Sequence, residues 1–154
     1  MVAGTSEGSE PMDEQLYRQI VERSPDAIVF GDARGVIRLW NAGAEAIFGF
    51  SAEEAIGQSL DLIIPERLRP RHWEGYDKVM ATGQSRYSRG DLLAVPAITK
   101  DGRTISIEFT IQMLTGAGGE ILGPVATIRD VTKRFQREKD LARRLKELEA
   151  KTRG

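Results

Sequence analysis

The one histidine of this 154-residue chain, His72, lies in the run RHWEGYDKVMATG, residues 71–83. At helical spacing Leu68, His72, Tyr76 and Val79 share one stripe, while Glu74, Asp77 and Lys78 fall away from it. A neutral imidazole on the apolar side of a helix can give its lone pair to a metal, and histidine is a common axial ligand of haem iron. A ligand of that kind also wants a partner for its second ring nitrogen. The competing reading is a half-covered imidazole without a cofactor. Pro70 suits the first turn of the helix, where side chains are often wet, and the neighbouring Trp73 can pack on the ring. Spacing alone leaves both readings open.

Other chemistry has little behind it. There is no cysteine, which excludes disulfides, thiolate metal sites and cysteine–flavin photochemistry. Asp26, Asp32, Glu45 and Glu108 form no paired-carboxylate spacing suited to acid–base work, and no serine or threonine has a histidine base except His72. No catalytic residue is therefore expected, and the chain reads as a non-enzyme. The glycines of TGAGGE fit neither GxGxxG nor GxxxxGK[ST] and read as a loop. Trp40 reads as core or pocket lining rather than a platform for a flavin.

No apolar run approaches the roughly 20 residues of a membrane helix, and MVAGTSEGSEPMDE holds no signal-peptide core. A cytoplasmic protein without membrane contact is the expectation. The net charge of −1 is unevenly spread. Residues 1–14 carry Glu7, Glu10, Asp13 and Glu14 and no base, whereas residues 131–154 carry nine bases and four acids. That basic tail reads as a solvated helix face rather than a nucleic-acid or lipid contact.

The elements that must position His72 follow from the pattern. Residues 1–12, rich in Gly, Ser and Glu, are expected to be disordered. A helix carrying Leu16, Ile20 and Val21 ends near Ser24-Pro25. Ala27 to Phe30 and Val36 to Trp40 form a hairpin around Asp32-Ala33-Arg34-Gly35. Ser51 and Glu54 make a capping box, Gly57 is a stop, Pro65 and Pro70 suit first helical turns, and Gly83 ends the histidine helix. Lys100-Asp101-Gly102 joins two strands, the second with Ile105, Ile107, Phe109 and Ile111 alternating inward. After a last strand the chain turns helical at Thr132. Leu141, Leu145 and Leu148 fall at coiled-coil spacing, with Arg134 and Glu138 in the same register. The result is an α+β domain, a five-stranded antiparallel sheet covered on one face by short helices. The expected division is a disordered N-terminus (1–12), the domain (13–132) and an exit helix (133–154).

Together SPDAIVFGDARGVIRLWNAGAEAIFGFSAEEAIGQSLDLIIP, KDGRTISIEF and IRDVTKR resemble a PAS sensory domain over residues 13–135. Trp40-Asn41, Phe48-Gly49-Phe50-Ser51 and Asp130-Val131-Thr132 stand where that family has them. Within the family, HWEGYDKVMATG is similar to the histidine helix of the rhizobial haem-PAS oxygen sensors, in which a histidine precedes Met-Ala-Thr-Gly at the same spacing. The resemblance implies haem b ligated by His72, with Tyr76 and Val79 on the proximal side and Phe109 and Ile111 over the distal face. It implies a diatomic gas ligand or redox signal, a homodimer and a downstream signalling protein. One departure stands out. Where the oxygen sensors carry an arginine that hydrogen-bonds bound dioxygen, this chain has Leu92 or Leu93, and Arg89 serves only if the register differs. A donor of that kind is worth about 1.5–3 kcal/mol, so faster oxygen loss and more weight on CO, NO or redox state are expected. The alternative within the family is a cofactor-free module for dimerisation and partner binding. No kinase, cyclase or DNA-binding motif follows, so the chain reads as a fragment or a standalone input partner.

Overall fold

The computed structural model describes residues 3–84 and 94–153. The chain begins with helix α1 (Ala3–Arg23), followed by the hairpin β1 (Ala27–Gly31) and β2 (Ile37–Trp40). Two short helices, α2 (Ala42–Phe48) and α3 (Ala52–Ala55), and two single 3₁₀ turns, Leu60–Ile63 and Glu66–Leu68, lead into α4 (Arg69–Thr82). Three strands, β3 (Val95–Ile98), β4 (Thr104–Thr115) and β5 (Ile121–Asp130), precede the exit helix α5 (Thr132–Arg153). The sheet is antiparallel, in the order β2-β1-β5-β4-β3. The first and last strands, β1 and β5, are thus neighbours inside the sheet. Pro96 lies in β3, an edge strand, where its missing amide breaks no ladder.

The helical connection packs its apolar residues on one face of the sheet. Ala27, Val29, Ile37, Ile105, Ile107 and Ile128 come from strands, and Ala44, Phe48, Ala55 and Ile63 come from the helices and turns above them. Phe48 is fully buried, 5.4 Å from the Trp40 ring. The Trp40 indole N–H donates to the Phe50 carbonyl at 2.9 Å, which removes the one polar cost of burying that ring. Gly43 allows α2 to approach β1 closely, because a Cβ there would stand 2.2 Å from the Asp26 carbonyl oxygen.

Asn41 joins three elements. Its Oδ1 accepts from the Ala44 amide at 2.9 Å, capping α2, and from the Ile28 amide at 2.8 Å. Its Nδ2 donates to the Val21 and Asp26 carbonyls. The end of α1, the start of β1 and the start of α2 thereby meet on one buried amide.

The expected capping box at Ser51 and Glu54 is present, with both reciprocal hydrogen bonds formed. The N-terminus differs from expectation. α1 begins at Ala3, inside the stretch read as disordered. A helix closes its own backbone hydrogen bonds without burying a core, so a stretch poor in apolar residues can still be helical.

Replacing Asn41 with Ala strips a cap and leaves buried backbone groups without partners, at a cost of about 2–4 kcal/mol. Urea unfolding of the variant should show that loss with the slope of the transition unchanged.

Candidate cofactor site

Helix α4 is positioned by two of its aromatic residues. The Tyr76 hydroxyl donates to the Asp32 backbone carbonyl at 2.5 Å, and the Tyr76 ring is buried. Trp73 lays its six-membered ring over Gly35, where a Cβ would come within 2.1 Å of the indole. Gly35 also has φ +78°, so this turn requires glycine twice over. The Trp73 indole N–H donates to Asp61 Oδ1 at 2.8 Å, in the first of the two 3₁₀ turns.

The β1–β2 turn that receives them is itself tied down. Asp32 Oδ1 accepts from the Arg34 and Val36 amides, and Oδ2 accepts from the Arg38 guanidinium at 2.9 Å. Burial pushes the Asp32 carboxyl up, but the Val36 amide, Arg38 and the Arg34 amide together hold it below the usual carboxylate range. Burial, with a smaller effect from the Asp32 carboxylate, raises the Tyr76 phenol well above its ordinary range, so it stays a donor.

His72 sits between these anchors. Its ring centroid is 4.8 Å from Trp73, edge to face, and 5.8 Å from Tyr76. The imidazole Nδ1 is buried and has no hydrogen-bond partner. An unmet ring nitrogen of this kind costs about 1–3 kcal/mol. Burial lowers the imidazole's affinity for protons, and the nearby Asp61 only partly opposes this. The ring is therefore held neutral, the form in which an imidazole binds a metal.

The expected site residues are placed as follows. Leu68, at the end of the 3₁₀ turn before α4, and Val79 on α4 are both half-buried. With His72 and Tyr76 they keep the predicted stripe. Phe109 and Ile111 are also half-buried and share the core-directed face of β4 with Ile105 and Ile107. Leu92, Leu93 and Arg89 lie outside the described residues. Sequence reasoning missed Asp61, Asp32 and Gly35 as supports of the site. Gly35 was legible as a turn residue, but nothing in the sequence links it to an indole 38 positions later. Among the described residues no three His, Cys, Asp or Glu side chains gather closely enough to hold a metal ion. A porphyrin supplies four nitrogens of its own, so one histidine is ligand enough for its iron. The buried, neutral, unpartnered imidazole fits that demand.

The family model of the PAS fold matches residues 15–131. The chain belongs to the PAS family. It is a sensory signalling domain with the five-stranded antiparallel sheet of that fold. The PAS domain of a Colwellia psychrerythraea protein superposes with a TM-score of 0.66 at 25% identity, over 77% of this chain and 97% of that one. Sensor protein FixL of Bradyrhizobium diazoefficiens is 33% identical over 94% of this chain, and Oxygen sensor protein DosP of Escherichia coli is 28% identical over 67%. The chain spans 27% of the length of FixL and 13% of that of DosP. No described helix is long and apolar enough to cross a membrane.

The linkage of His72 to stability has a definite sign. The unfolded imidazole takes up a proton as pH falls through 6.5, while the buried one resists. Stability of the haem-free protein should therefore decline as pH falls below that value and level off once the folded ring is protonated too. His72→Phe should remove this component, as read by urea melts between about pH 8 and pH 5. The Asp32 and Asp101 carboxyls, both lowered on folding, act in a separate and more acid window.

Proposed function

We propose that this chain is a signal-transduction input module that binds haem b through His72 and responds to a diatomic gas or to redox state. The observation that carries the reading is the buried His72 Nδ1 without a partner on a ring kept neutral by burial. The likeness of its helix to that of the haem-PAS oxygen sensors, and the similarity to proteins named as sensors, support it. Leu68, Tyr76 and Val79 would flank the ligand side, with Phe109 and Ile111 supplied from β4 across the core face. When bound, haem would supply an iron with a coordination position open to a gas. Leu92 or Leu93 in place of an arginine would leave a bound dioxygen without a charged donor, which favours CO, NO or redox sensing.

The route to an output runs through β4. Phe109 and Ile111 alternate along that strand with Glu108, whose carboxylate pairs with Arg134 on α5. The Ser106 amide donates to the Thr132 hydroxyl at 3.0 Å, and the Val131 amide donates to the Ser106 carbonyl at 2.9 Å. Thr132 is in turn held by Asp130. A displacement of β4 would thus be passed to the start of α5 by two hydrogen bonds at Ser106 and the Glu108–Arg134 ion pair. Further along α5, Leu141, Leu145 and Leu148 are 57–60% exposed, a short seam for a second copy of the chain in a cytoplasmic homodimer read by a downstream signalling protein.

That same seam favours a second reading, a cofactor-free module for dimerisation and partner binding, since it needs no ligand at all. Absorption spectroscopy separates the two. Protein supplemented with haem should show a Soret band that His72→Ala abolishes while the fold is retained. A colourless protein of unchanged stability leaves the interaction module. Leu145→Glu should weaken self-association at least tenfold in sedimentation experiments under the homodimer reading, about 1.4 kcal/mol.

A further inference from the structure

The side chains around His72 do more than wall it in. Of the two rings that touch it, Tyr76 is fixed by the Asp32 carbonyl and Trp73 by the Asp61 carboxylate. The two rings also touch each other, centroids 5.3 Å apart at 63°. The imidazole makes no hydrogen bond at its buried nitrogen, so no polar contact there sets the angle of its ring. What remains to orient it is aromatic contact, edge-to-face with Trp73 at 77° and tilted with Tyr76 at 46°. Such geometries are preferred because the positive edge of one ring meets the negative face of another.

We propose that Asp61 and Trp73 are positioning residues for the His72 ring: Asp61 fixes the indole, Gly35 gives it a seat, and the indole fixes the imidazole. This assigns the orienting of the imidazole to a ring contact one residue along the same helix. It rests on the proposed role of His72 only for its consequence, not for its geometry. Asp61 has a support of its own, since Arg69 lies 3.9 Å away and donates through its side chain to the Asp61 and Ile64 carbonyls. The chain Arg69–Asp61–Trp73–His72 therefore runs from the first residue of α4 to the first 3₁₀ turn and back onto the first two turns of α4.

His72 is the one histidine, so its ring protons are unambiguous in an NMR spectrum of the haem-free protein. In the native protein they should be displaced by the ring currents of Trp73 and Tyr76. Asp61→Ala should move them toward the free imidazole position and shift Trp73 emission to the red. Asp61→Asn keeps an oxygen acceptor for the indole N–H and should restore both signals. Trp73→Leu should give the same imidazole displacement as Asp61→Ala. Haem affinity should fall about 10- to 100-fold in Asp61→Ala and recover in Asp61→Asn. Imidazole resonances that stay put in both Asp61→Ala and Trp73→Leu overturn the proposal. Resonances that move as described in a protein that never takes up haem uphold the positioning and sink only the haem reading.

Discussion

Two hydrogen bonds from aromatic tips, Tyr76 to the Asp32 carbonyl and Trp73 to the Asp61 carboxylate, fix where α4 lies against the rest of the domain. The placement of His72 follows from them. α4 carries few fully buried side chains, Tyr76 being the one among its described residues. Apolar burial alone would thus hold the helix loosely and leave its rotation open. The phenol and the indole remove that freedom, because each must reach a particular oxygen. His72 lies one residue before Trp73 and one turn before Tyr76, and with both fixed it is carried to a place where one ring nitrogen is cut off from water.

The same economy recurs where the chain enters and leaves the sheet. Asn41 gathers α1, β1 and α2 on a single amide, and Thr132, held by Asp130 at the end of β5, attaches α5 to β4 by accepting from the Ser106 amide. Between them the sheet order places the strand after α1 beside the strand before α5. The Asp26 carboxylate reaches Arg129 across that pair at 3.2 Å, an exposed contact of small energetic value that marks how close the two exits are. The β4 strand carries Phe109 and Ile111 on its core face, and Glu108 on the other is paired to Arg134 of α5.

Much of this was legible in the residues. The Asp101-Gly102 turn, the alternation from Ile105 to Ile111 and the capping box at Ser51 are local signals, and each needs only its own neighbours to be satisfied. The stripe of Leu68, His72, Tyr76 and Val79 was readable for the same reason. The supports of the site were not. Tyr76 finds its acceptor 44 positions away in a backbone carbonyl, which has no side-chain signature, and Trp73 finds Asp61 in a turn that no periodicity announces. Gly35 looked like any hairpin glycine until an indole was found lying on it. The start of α1 was missed because composition speaks to burial, not to helix formation.

The most direct measurement of the central claim replaces His72 with Gly and asks whether free imidazole takes its place. The account predicts that the variant binds haem poorly by itself. Added imidazole should restore the wild-type absorption spectrum, because the supports at Asp61, Trp73 and Tyr76 remain to receive the ring. Haem held by the variant as tightly as by the wild type without imidazole, with an unaltered spectrum, would contradict it.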